Sequence, residues 1–77
     1  MPRPETPHIR STVGANILRL REGKGLTQRE LATRIGMDPI GISRWERGKT
    51  MPRPETVELV AEALGVDVGD IYVRSAA

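Results

Sequence analysis

Residues 28–47 read QRELATRIGMDPIGISRWER, and their punctuation decides the fold. Just before them, Thr27 stands three residues from Glu30 at the spacing of a reciprocal helix-start cap, and Leu26 and Leu31 have the spacing of the apolar pair that flanks such a cap. Leu31, Ala32 and Ile35 then form one buried stripe. Gly36 follows where a helix end takes left-handed backbone angles that glycine adopts without steric cost. The spacing predicts a helix of about two turns and then a tight turn. Asp38 is placed to cap a second helix, and Pro39 sits at its first position, where a missing N–H costs nothing. Met37 and Ile42 repeat the flanking apolar pair, and Gly48 closes the element. At about 100° per residue with Ile42 at zero, Trp45 falls at about 300°, whereas Ile40, Ser43, Arg44 and Arg47 fall between about 100° and 200°. One face of this helix belongs to a core; the other carries two arginines into solvent.

Outward from this pair, Val13, Ile17 and Leu20 fall at helical spacing, and the glycines of "EGKG" (residues 22–25) stop the run. On the other side Val57, Val60, Ala61 and Leu64 recur at i, i+3, i+4 and i+7 behind Pro54, Glu55 and Thr56. A last short helix, capped by Asp67 with Asp70 three residues on, carries Val68 and Ile71. The fold class expected is therefore all-α, with five helices in a single domain over residues 12–73. Residues 1–11 hold three of the six prolines and read as a flexible arm, with order beginning near Thr12, and residues 74–77 read as a frayed tail. The hexapeptide MPRPET occurs at residues 1–6 and again at 51–56. In the second copy it opens a helix; in the first, Pro7 biases Thr6 away from helical angles, so the two contexts are expected to differ. Residues 7–26 share no likeness with 57–76, which excludes a tandem repeat.

A chain of 77 residues without cysteine buries only about 60% of its unfolded surface and has no disulfide to help it. A single histidine, His8, cannot make a metal-ligand cluster, and no metal or other cofactor is expected. No apolar run reaches membrane-spanning length and the start lacks a secretory apolar region, so the expectation is a cytoplasmic protein. Charge is unevenly placed. Residues 1–53 hold eleven Arg or Lys against five Asp or Glu, a net +6, whereas residues 54–77 hold one arginine against five carboxylates, a net −4. Such polarity suits a basic surface facing a polyanion. No constellation of acid, base and nucleophile emerges, so an enzyme is not expected.

A two-turn helix, a glycine turn and a second short helix form the arrangement in which the second helix enters the DNA major groove. Residues 28–47 resemble the helix-turn-helix of the Cro and CI repressor-like family, the XRE family. Leu31, Ala32, Ile35, Gly36, Met37, Ile42 and Trp45 stand where that family places its buried or turn residues. The likeness extends through "VGANILRLREGKGLTQ" before and "ERGKTMPRPETVELVAEALGVDVGDIY" after, covering about Val13 to Tyr72. It implies a compact, lambda-repressor-like domain that regulates transcription by binding operator DNA, as a homodimer on a pseudo-palindrome.

The resemblance also implies roles for residues. Gln28 at the start of the second helix would contact phosphate, and the loop Gly48 to Thr50 would clamp the DNA backbone through Lys49 and Thr50, with Arg47 beside them. Arg21 and Glu46 occupy positions that the family often joins by an ion pair. Base readout would fall to Ile40, Ser43 and Arg44. Here the chain departs from the family, which often places polar readers at the first turn of the third helix, where this sequence has Pro39, Ile40 and Gly41. Ile40 is suited to a thymine methyl or to a protein contact, and Arg44 to guanine or to phosphate. Ile71, Tyr72 and Val73 are candidates for the dimer interface or for closing the core. The rival reading keeps the fold and makes the third helix a docking surface for another protein, as in an adaptor or antitoxin component.

Overall fold

The computed structural model describes the backbone of residues 5–73 and the side chains of residues 9–73. Five helices follow in order: α1 (Glu5–Gly23), α2 (Gln28–Ile35), α3 (Pro39–Glu46), α4 (Pro54–Leu64) and α5 (Val68–Tyr72). They close on one aliphatic core in which Val13, Ile17, Leu31, Ile42, Val57, Val60 and Ile71 are fully buried, with Trp45 beside them. Helix α1 packs on α3 and α5, α2 packs on α3 and α4, and α4 packs on α5. Among the described residues no helix is long and apolar enough to cross a membrane.

The central punctuation acts as its chemistry requires. The Thr27 hydroxyl accepts from the Glu30 N–H at 3.0 Å while the Glu30 carboxylate accepts from the Thr27 N–H at 2.8 Å. Those two bonds satisfy donors that the first turn of α2 cannot pair internally. Gly36 takes φ +72° and ends the helix, and the Met37 N–H then donates back to Ala32 O at 2.9 Å. Asp38 caps α3, accepting the Ile40 N–H at 2.8 Å.

Helix α1 departs from expectation. It begins at Glu5, seven residues before the expected start at Thr12, so residues 5–11 are helix rather than arm. Pro7 is tolerated because it lies in the first turn, whose N–H groups have no intrahelical acceptor in any case. Ile9, four residues before Val13, extends the apolar stripe by a turn. Both copies of the hexapeptide consequently lead into helices, α1 from Glu5 and α4 from Pro54, a role that suits proline and glutamate near a helix N-terminus. Residues 1–4 of the expected arm and the expected tail, 74–77, lie outside the described residues.

Candidate nucleic-acid interface

The placement of α3 starts with a glycine. At Gly14 in α1, an added Cβ would lie 1.9 Å from the carbonyl oxygen of Trp45. Only hydrogen fits there, so α1 and α3 approach backbone to backbone. A glycine inside a helix costs about 1 kcal/mol relative to alanine, and at this crossing the close packing offsets that cost.

A polar network then fixes the far end of the same contact. Arg21 Nε donates to Glu46 Oε2 at 2.7 Å and its Nη2 to Glu46 Oε1 at 3.0 Å, a two-pronged pairing. Its Nη1 donates to Leu26 O at 2.7 Å, just ahead of α2. Gln28 Nε2 donates to Glu46 Oε1 at 2.8 Å. The Arg21 and Glu46 side chains are only 10% and 5% exposed, and the bond to Glu46 raises the arginine pKa above its already high ordinary value despite burial. Glu46 thus ties α1, the start of α2 and the end of α3 into one rigid unit. One amide hydrogen of Gln28 is committed inside this network, which aims the amide and leaves its second hydrogen for an outside acceptor.

The opposite face of α3 is presented outward. Ile40 is 63% exposed, Arg44 and Arg47 are exposed, Ser43 is half-buried, and Ile42 and Trp45 are buried. Arg47 Nε reaches back to Ser43 O at 3.4 Å. Lys49 and Thr50 are exposed in the loop beyond α3. The backbone N–H groups of Arg47, Gly48 and Lys49 all return to carbonyls of α3, on Ser43, Trp45 and Arg44, at 2.9–3.1 Å. They are therefore not free for an anion, and at Lys49 the loop can offer the ammonium group alone.

The three interface candidates separate. Ile71 is fully buried and closes the core of its own chain, so it does not serve an interface, whereas Tyr72 and Val73 are exposed at 39% and 64%. Ile71 points inward because Asn16 holds the end of α5 against α1. The Asn16 amide nitrogen donates to Ile71 O at 2.8 Å and to Val73 O at 2.7 Å, and Asn16 is buried. Gly14 and Asn16 were not singled out from the sequence. Their signals were present: a glycine inside a helix with no turn to make, and a polar residue on an apolar stripe.

This geometry, a rigid pair of helices with the second presenting a cationic outer face, defines a helix-turn-helix protein. The helix-turn-helix family HTH_3 matches residues 17–71, and the chain belongs to it. It is 45% identical over 58 residues to the HTH-type transcriptional regulator y4dJ of Sinorhizobium fredii, covering 75% of each chain. It is 40% identical over 55 residues to Multiprotein-bridging factor 1 of Eremothecium gossypii, covering 71% of this chain and 36% of that protein, so it spans little more than a third of that relative. The crystal structure of the clp gene regulator ClgR from Corynebacterium glutamicum superposes with a TM-score of 0.79 at 36% identity, over 82% of this chain and 67% of that one.

Proposed function

We propose that this chain is a sequence-specific transcriptional regulator that inserts α3 into the major groove of an operator as a homodimer. The observation that carries this reading is the division of α3: its inner face is locked by Gly14 and Glu46, and its outer face presents Ile40, Arg44 and Arg47 together. In this reading Ile40, Ser43 and Arg44 face base edges, while Gln28, Arg47, Lys49 and Thr50 face the sugar-phosphate backbone. One such helix spans only a few base pairs, so pairing of two copies supplies affinity and sets half-site spacing. Tyr72 and Val73 are the side chains proposed for that pairing, and the cytoplasm is the proposed place of work.

Titration of Arg44→Ala and Lys49→Ala against a duplex selected from a random pool and against random duplex, at several salt concentrations, tests it. Arg44→Ala is expected to weaken the selected duplex by about 1 to 3 kcal/mol and random duplex much less. Lys49→Ala is expected to weaken both together and to reduce the salt slope by about one. Equal loss on both duplexes for Arg44→Ala would reduce that residue to an anchor.

The second reading, a protein-interaction module such as an adaptor or antitoxin component, draws on the exposure of Ile40 and on the likeness to Multiprotein-bridging factor 1. It predicts no salt-dependent binding to duplex DNA and loss of a protein partner on Ile40→Asp.

A further inference from the structure

The first turn of α3 differs chemically from an ordinary helix start, which offers several unpaired N–H donors. Pro39 has no N–H. The Ile40 N–H is taken by Asp38 Oδ1 at 2.8 Å, and the Gly41 N–H by Asp38 O at 3.1 Å. No side chain of Pro39, Ile40 or Gly41 donates or accepts a hydrogen bond. The charged group of this cap is the Asp38 carboxylate, which repels phosphate.

What this turn does present is apolar. Ile40 stands 63% exposed and Met37 38% exposed. The Met37 methyl carbon lies 3.2 Å from where a Cβ on Gly41 would be, so the methionine rests against the space that the glycine leaves. Met37 and Ile40 thus make a small apolar edge at the tip of α3. Arg44 follows one turn later, with Arg47 and Lys49 beyond it, all exposed. A surface of this kind, cationic along its length and apolar without donors at its tip, matches a major groove in which the tip meets a carbon substituent. The 5-methyl group of a pyrimidine is the apolar feature that the groove displays.

We propose that Met37 and Ile40 read the 5-methyl groups of neighbouring pyrimidines, so that the preferred half-site carries thymines beside the base pair that Arg44 addresses. A further consequence is that 5-methylcytosine, which carries the same group at the same place, is accepted there better than cytosine. The inference rests on the proposal that α3 enters the major groove and adds Met37 and the chemical class of base at that site.

Replacing thymine by uracil removes this methyl and leaves every hydrogen-bonding group in place. The full chain is titrated against its pool-selected duplex with deoxyuridine substituted at one thymine at a time, and against duplexes carrying cytosine or 5-methylcytosine at the same positions. At one or two positions per half-site, uracil is expected to lower affinity about fourfold, the value of one buried methyl. 5-Methylcytosine should bind more tightly than cytosine by a similar factor. Ile40→Ala should abolish the uracil effect at one position and Met37→Ala at its neighbour, each weakening the selected duplex more than random duplex. If binding is salt-dependent and sequence-specific but no position responds to uracil, or the response persists in both variants, the methyl reading is wrong and groove entry stands. If no duplex is bound in a salt-dependent way, groove entry itself falls, and an Ile40→Ala defect in binding a protein partner would assign the apolar edge to that partner instead.

Discussion

On its inner side α3 touches α1 so closely that a single added carbon at Gly14 would collide with the Trp45 carbonyl, and Glu46 is held by three hydrogen bonds from two side chains. On its outer side the same short helix holds Ile40 and Arg44 out to solvent. The difference teaches that one eight-residue element can divide its labour by face. The inner face sets position through packing and buried polar bonds; the outer face is left free to be judged by what it meets. Substitutions on the two sides should therefore separate into losses of folding and losses of binding.

The largest effect is expected at Gly14→Ala. Relief of the collision requires separating two helices, which should cost about 4 kcal/mol or more, at the exceptional end for a single substitution. A domain of this length has a total stability of roughly 4 to 12 kcal/mol, so thermal unfolding followed by circular dichroism should show little or no native transition. A variant that melts like the parent would mean that α1 and α3 are not in contact there.

Next comes Glu46→Ala, which strands the Arg21 guanidinium in a nearly closed site and should cost about 3 to 5 kcal/mol. Arg21→Ala should be similarly harmful, and the double variant should cost less than the sum of the two. Strict additivity in denaturant titrations would break the network apart. Asn16→Ala removes the bonds to Ile71 O and Val73 O and should cost about 1 to 3 kcal/mol, with hydrogen exchange quickening first in α5. Arg44→Ala belongs to the outer face and should move stability by no more than about 0.5 kcal/mol; a larger loss would contradict the division of faces.

The smallest effect concerns Glu30, whose carboxyl is held below its ordinary value of 4.5, chiefly by the Thr27 backbone N–H and then by the Thr27 hydroxyl. Because the folded chain binds this proton less readily than the unfolded chain, the cap contributes fully above about pH 4.5 and is lost as pH falls through the lower folded value. Glu30→Gln should therefore melt slightly below the parent at pH 7, and the gap should close as pH falls through the lowered Glu30 value. A gap that is constant with pH would mean that the charge plays no part.

Signals that act over a few residues were legible without coordinates. The Thr27–Glu30 cap, the Gly36 turn, the Asp38–Pro39 start and the stripe that puts Ile42 inside and Arg44 outside each depend on neighbours within one or two turns. The helix-turn-helix and its outward face therefore followed from residues 27–48 read in order. The start of α1 was misplaced because proline was weighed as a breaker, when in the first turn of a helix it breaks no bond.

Other features join distant parts of the chain, and no local rule connects them. The Gly14–Trp45 approach and the Arg21–Glu46 pairing depend on how two helices cross, and the Asn16 bonds to Ile71 and Val73 bridge 55 and 57 positions. The family pattern pointed to a pairing of Arg21 with Glu46, but only the crossing made their site nearly closed, which raises the cost of removing one partner from minor to major. It also turned Ile71 inward and left Tyr72 and Val73 outside. The sequence by itself determined which helices form and which side of α3 is polar, because backbone capping and side-chain periodicity are local. Tertiary structure alone decided how near those helices lie and which polar groups lose their water, because both depend on atoms that meet only when the chain has closed.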